Sequence, residues 1–245
     1  MSHRSQVDSE RFGRAIGRAR LTATDQFLAL LDSWRVEALE MVIIRVNATD
    51  IEVSQLVEGA GARLCDTLVD YAGEPGRMKS AGIDPRVRSA TGGDADAVAA
   101  VAAAGFRDYI GHYHADPRLA ARAADEAYAD WAWRSVAVPG VADRVWIAEE
   151  DGATVGFLTL KVRDQSETEI LLNAVDPAFQ GRGIYRALLD AAIDSSRDLG
   201  AKRIRVSTQL ANYRVQQIWV RSGFELTSAL HTFHLWLDEV RPLRR

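Results

Sequence analysis

The stretch AVDPAFQGRGIYRALLDAA, residues 174–192, constrains this chain more than any other. A β-type run ends at Ala174-Val175, a proline follows, and a helix opens through Gln180-Gly181-Arg182-Gly183. Two glycines this close to a helix start lower helix propensity, so the position requires bare backbone. A helix amino terminus offers unpaired N–H groups and the positive end of the helix dipole, which together suit an anion. Spacing removes two familiar explanations. No GxxxxGK[ST] loop is present, and the dinucleotide fingerprint needs a third glycine where Arg186 stands.

The elements around this turn predict an α/β chain with a mixed sheet. Before it, VRSAT reads as a short strand, Asp94 to Ala104 as a helix, and DPRLAARAADEAYADWAWRSV as an amphipathic helix. RVWIAEE, TVGFLTLKV and TEILLNAV read as three strands, the first two joined by an Asp151-Gly152 hairpin turn. After it come a helix from Gly181 to Leu199, the strand AKRIRVST, the helix NYRVQQIWVRSG and a last strand pair around Glu225 to Leu237. Upstream, GRAIGRARL, EMVIIRVNA and GARLCDTLVDYA read as strands, with one helix between the first two and another from Asp50. The Gly- and Pro-rich stretch between them divides the chain into a small α+β unit at 1–75, a linker at 76–85 and a larger domain at 86–240.

Composition narrows the function. A net charge of −4 argues against a general nucleic-acid binder, because phosphate backbones are held by clustered Lys and Arg. No apolar run approaches the ~18 residues of a membrane span, and the amino terminus lacks the apolar region of a secretory signal, so the expectation is a cytoplasmic protein with no membrane partner. Cys65 is the only cysteine, which excludes an internal disulfide and a CxxC site; within ARLCDTLVDY it reads as a small buried apolar residue. His112-x-His114 and His231-x-x-His234 lack a nearby Cys or paired carboxylate, so no metal is expected.

Gln180-x-x-Gly183 in a strand-to-helix turn, with Asn212 on the next helix, resembles the motif of the GCN5-related N-acetyltransferase (GNAT) superfamily. RSATGGDADAVAAVAAAGF is similar to that family's first strand and helix, and NYRVQQIWVRSGF to its Asn-containing helix ending in Gly-Phe. A narrower resemblance joins DSERFGRAIGRARL, EMVIIRVNATD and FRDYIGHYHADPRLAARAADEAYADWAWRSV to TDP-fucosamine N-acetyltransferase and related nucleotide-amino-sugar acetyltransferases. The resemblance implies a GNAT fold beside a smaller amino-terminal unit, acetyl-CoA as co-substrate, and direct attack by the amine of a nucleotide-linked amino-deoxysugar. An acyltransferase for another small amine, a coenzyme A binder without turnover, and a homodimer stay open.

The resemblance also implies roles. Two strands splay so that pantetheine lies between them beside the main chain of Asn173 to Val175, where a free N–H holds the thioester oxygen. Amides of Gln180, Gly181, Arg182, Gly183, Ile184, Tyr185 and Arg186 hold the diphosphate, and Asn212 bonds the pantetheine arm. Glu169 matches the position of a glutamate base in some members, and alternation puts Glu169, Leu171, Asn173 and Val175 on one strand face. The family's tyrosine acid falls at Trp219, whose indole N–H only donates. Tyr185 stands where Gly or Ala is usual. Histidines suit the missing proton exchange, with His234 and His114 as catalytic candidates and His112, His114, Gln209 and His231 as contacts to the acceptor.

Overall fold

The computed structural model describes residues 2–107 and 109–242, which form two compact units. Among the described residues the first comprises 2–69, 110–124 and 228–242, and the second 70–107, 109 and 125–227.

In the first unit, β1 (Ser2–Arg4) pairs antiparallel with β2 (Ile16–Leu21), β2 pairs parallel with β3 (Met41–Asn47), and β3 pairs antiparallel with the far half of β10 (Glu225–Trp236). Between these strands run α1 (Gln6–Phe12), α2 (Thr24–Val36) and α3 (Ile51–Gly59). Ser5 caps α1 through its side chain and Asp50 caps α3, each accepting an N–H of the first turn. The apolar stripes of α2 and α3 bring Phe27, Leu31, Trp34, Val53 and Val57 onto Val42, Ile44, Val46, Phe233 and Leu235, closing one core. The expected strand pair near the carboxyl end is one twelve-residue strand, because no turn residue interrupts Glu225–Trp236.

In the second unit the hydrogen-bonded order is β9 (Arg203–Gln209), β8 (Glu167–Val175), β7 (Ala153–Val162), β6 (Arg144–Glu150) and β5 (Val87–Ser89). Only β8 and β9 run parallel. Asp151 and Gly152 both take positive φ, at 53° and 79°, and turn β6 tightly into β7. α4 (Ala95–Gly105) and part of α5 (Ala121–Ala137) cover one sheet face, where Val98, Val101, Ala102 and Ala132 meet Ile147, Phe157 and Leu172. α6 (Ile184–Asp198) covers the other. A Cβ on Gly156 of β7 would meet Ile184 and Leu188 of α6 at 3.1 Å, so the glycine permits this close packing. α7 (Tyr213–Arg221) follows β9.

β4 (Arg63–Gly73) runs unbroken through the division at 69/70, upstream of the stretch that composition marks as a linker. That stretch is pinned rather than free. Ser80 Oγ donates to Asp194 at 2.7 Å, the Ala81 N–H to Asp190 at 3.2 Å, and Met78 is buried. Among the tryptophans, Trp131 and Trp133 lie at the surface, while Trp34 and Trp219 fill the cores.

Candidate active site

The parallel pair β8 and β9 is registered from Glu167↔Arg203 to Ile170↔Val206 and no further, although β8 continues to Val175 and β9 to Gln209. The cause lies on the opposite edge of β8. Its pairing with β7 passes from Leu160↔Ile170 to Thr159↔Leu172, leaving Leu171 as an extra residue, a β-bulge. The buried Thr159 hydroxyl stitches this bulge, accepting the Leu172 N–H at 3.0 Å and donating to the Leu172 carbonyl at 3.1 Å. Leu172 therefore points its backbone groups at β7, and so does Asp176, whose N–H donates to Val155. By alternation Asn173 and Val175 turn theirs the other way, into the opening beside β9.

The bulge also reverses strand parity. Thr168 faces α6, bonding Ser196 at 2.8 Å, and Ile170 shares that face, whereas Leu172 and Ala174 pack on the α4 side. Glu169 and Asn173 are therefore on opposite faces, against the expectation from unbroken alternation. The Glu169 carboxylate is engaged by Arg163.

Beyond β8, a short 3₁₀ turn over Pro177–Phe179 leads to the glycines. Gly181 and Gly183 have φ of 82° and 80°, the left-handed region that favours glycine. This is why α6 begins at Ile184 rather than at Gly181. Among the described residues, the N–H groups of Gly181, Arg182, Gly183, Ile184, Tyr185 and Arg186 have no acceptor in the protein; the helical ladder starts with Ala187 N–H to Gly183 O at 3.1 Å. A Cβ at Gly181 would meet nothing within 4 Å, and one at Gly183 would meet only the Arg86 guanidinium, at 4.0 Å. Arg86, absent from the sequence reading, donates to the Arg182 carbonyl at 3.2 Å, and Arg214 donates to the Gln180 side chain at 2.9 Å. Six bare N–H groups at a helix start, with guanidinium groups beside them, form an anion cradle. Arg186 contributes its amide only, since its side chain is spent on Asp190, Ser222 and the Lys79 carbonyl.

Asn212 precedes α7 without capping it, and its Nδ2 donates to Thr208 at 3.1 Å. Trp219, 1% exposed, packs edge-on against Tyr71 and donates its indole N–H to the Tyr185 hydroxyl at 2.7 Å. Burial pushes the Tyr185 phenol up, so it stays protonated. Its own O–H has no acceptor among the described residues. Gln209 is buried at the end of β9.

All four histidine candidates belong to the first unit. His112 and His234 come together, Nδ1 to Nε2, at 2.9 Å. His114 accepts the Gly111 N–H at 3.2 Å, and His231 bonds Thr67 at 3.0 Å. Sequence reasoning missed Asp116, which holds His234 Nδ1 at 2.8 Å. Cys65 is partly buried, and burial, chiefly, pushes its thiol up to about 12. Among the described residues no group of three or more His, Cys, Asp or Glu is placed to hold a metal, and no helix is long and apolar enough to cross a membrane.

Residues 107–224 match the model of the acetyltransferase (GNAT) family. The mycothiol acetyltransferase of Propionibacterium freudenreichii is 41% identical over 83 residues, which are 33% of this chain and 27% of that protein. The spore coat polysaccharide biosynthesis protein SpsD of Bacillus subtilis is 25% identical over 203 residues, 82% of this chain and 68% of that protein. The crystal structure of a GCN5-related N-acetyltransferase from Sphaerobacter thermophilus superposes with a TM-score of 0.62 at 16% identity, covering 89% of this chain and 68% of that one. Residues 107–224 are thus similar to the acetyltransferase (GNAT) family, and the fold of the chain is similar to that of a GCN5-related N-acetyltransferase.

Proposed function

We propose that this protein transfers the acetyl group of acetyl-CoA to the amine of a nucleotide-linked amino-deoxysugar, in the cytoplasm, through a ternary complex without a covalent enzyme intermediate. The observation that carries the reading is the pairing of two features in one unit: the cradle of free N–H groups from Gly181 to Arg186, and the opening between β8 and β9. A thioester carrier with a diphosphate at one end needs both.

The residues fit such a carrier. The bare Cα atoms of Gly181 and Gly183 let a diphosphate reach the main chain, and Arg86 adds countercharge. The edge of β8 that faces the opening beside β9 would hold the arm in the manner of an added strand. The N–H groups of Asn173 and Val175 point into that opening, and one of them stabilises the oxygen that gains charge when the amine attacks. Tyr185 has an O–H free to donate to the bound carrier. The acyl donor supplies the activated carbonyl; the protein supplies orientation, the oxyanion donor and proton handling.

A sugar-linked acceptor is supported by the alignment with SpsD, a protein of polysaccharide biosynthesis by name, across 82% of this chain. A different small amine as acceptor is favoured by the higher identity to mycothiol acetyltransferase over a shorter segment. One panel separates them: purified protein, acetyl-CoA, TDP-linked amino sugars and unrelated amines, read by release of free thiol. Release only with the nucleotide sugars is the expected result. Release only with other amines overturns the acceptor, and release with none overturns transfer.

A further inference from the structure

In the second unit a serine and a carboxylate stand where β8 and β9 part. The charged residues nearest this fork share one sheet face: Glu167 pairs with Arg205 at 3.1 Å and with Arg203 at 3.6 Å, and Arg163 engages Glu169. Alternation along β9 puts Ser207 on that face as well, and it is the first residue past Ile170↔Val206, the last registered pair with β8. The half-buried Ser207 donates its Oγ proton to Asp70 Oδ1 at 2.6 Å. Asp70 is 5% exposed, and Thr227 Oγ1 fixes its main chain by donating to its carbonyl at 3.0 Å.

The direction of the Ser207 bond decides what its hydroxyl can still do. A carboxylate only accepts, so the Ser207 proton is committed to Asp70 and the lone pairs of Oγ are left for another donor. Among the described residues none donates to them. The neighbouring charges are matched against one another, Glu167 with Arg203 and Arg205 and Glu169 with Arg163. Burial lowers Arg205, but Glu167, then Glu169 and Asp70, hold it above its ordinary value, so the Asp70 charge is felt on this face too. An oxygen with open lone pairs and a negative charge behind it suits an N–H donor.

We propose that Ser207 Oγ receives the acceptor amine and takes its proton, with Asp70 as the positioning residue that orients the hydroxyl and stores that proton. The proposal rests on the acetyltransferase reading and names the proton-handling group of the same site. A diphosphate in the cradle lies beyond the carboxyl end of β8, so an arm that follows the strand back from Val175 past Asn173 ends at the fork, beside Ser207. There the amine nitrogen bonds the thioester carbon, its proton passes to Ser207 Oγ, and the Ser207 proton moves to Asp70. The carbon–sulfur bond then breaks with its electron pair leaving on sulfur. The proton held by Asp70 returns through Ser207 to the thiolate or to water, so the pair ends as it began.

Kinetics on the full chain test this. With any amine that wild type acetylates, Ser207→Ala and Asp70→Asn should each lose about 10²- to 10⁴-fold in kcat near neutral pH, with coenzyme A affinity by calorimetry unchanged. Ser207→Thr keeps the hydroxyl and should recover most of the rate. The deficit of Ser207→Ala should also shrink as pH rises, because hydroxide then removes the proton. Asp70 is buried, so where Asp70→Asn fails to fold the comparison of Ser207→Ala with Ser207→Thr decides. A deficit that stays constant with pH, or an equal loss of coenzyme A binding, marks a merely structural bond and overturns the proposal. Full kcat in Ser207→Ala overturns it too. A wild type that acetylates no amine overturns the reading beneath it, and the proposal with it.

Discussion

Replacing Thr159 by Val removes the hydroxyl that joins both backbone groups of Leu172 while keeping side-chain shape. Thr159 is fully buried, and its two bonds measure 3.0 and 3.1 Å. The substitution leaves an N–H and a C=O of Leu172 inside the sheet without partners, each costing about 1–3 kcal/mol. The added methyl group recovers little, so the expected loss is about 2–4 kcal/mol, a large part of a typical ~5–15 kcal/mol stability. For a chain of this size that lowers the melting temperature by roughly 5–15 °C. Function should fall with it. Without the stitch nothing fixes the extra residue Leu171, and the opening beside Asn173 and Val175 loses its wedge. Urea unfolding gives the first quantity and calorimetry with coenzyme A the second, with Thr159→Ser restoring both. A Thr159→Val protein within about 0.5 kcal/mol of wild type, binding coenzyme A normally, would refute the claim that the hydroxyl holds the bulge.

Three more outcomes are expected. Gly183→Ala puts a Cβ at φ 80° with only Arg86 near it, so unfolding should cost about 1–2 kcal/mol while coenzyme A affinity by calorimetry drops at least about tenfold. Asp8 is raised by burial but held below the usual carboxylate range by Arg18, so its contribution is present above the unfolded pKa and vanishes as pH falls through the lower folded value. Asp8→Asn should therefore cost about 3 kcal/mol in urea titrations at pH 7, and progressively less as pH falls below the usual carboxylate range. Cys65, pushed up from 9.0 to about 12, should be alkylated about a thousandfold more slowly in folded than in urea-unfolded protein at pH 8, as read by mass spectrometry.

Local chemistry in the sequence announces much of this fold. The alternation in TVGFLTLKV and TEILLNAV, the Asp151-Gly152 turn and the Gln-Gly-Arg-Gly helix start each correspond to an element of the structure. Other local signals concern the amino terminus. Ser5 and Gly13 bracket α1 as an amino-terminal cap and a left-handed carboxyl cap. Other features have no local signal. The parity of Glu169 depends on a bulge fixed by a hydroxyl on another strand, Thr159. The apparent linker is held by Asp190 and Asp194, more than a hundred residues downstream. His112 and His234 are 122 residues apart, so periodicity offered the histidines but not their contact, nor the carboxylate that orients them.

The chain crosses between its two units at 69/70, 109/110, 124/125 and 227/228, and Met41–Asn47 finds its antiparallel neighbour only in Leu230–Trp236. On the ribosome, at roughly 5–20 residues per second, Val42, Ile44 and Val46 therefore wait on the order of ten seconds or more for the strand that completes their sheet. The amino-terminal unit matures last, and until then its oily strand is open to wrong pairing, so premature termination before residue 230 would leave a product prone to clump rather than a smaller working protein.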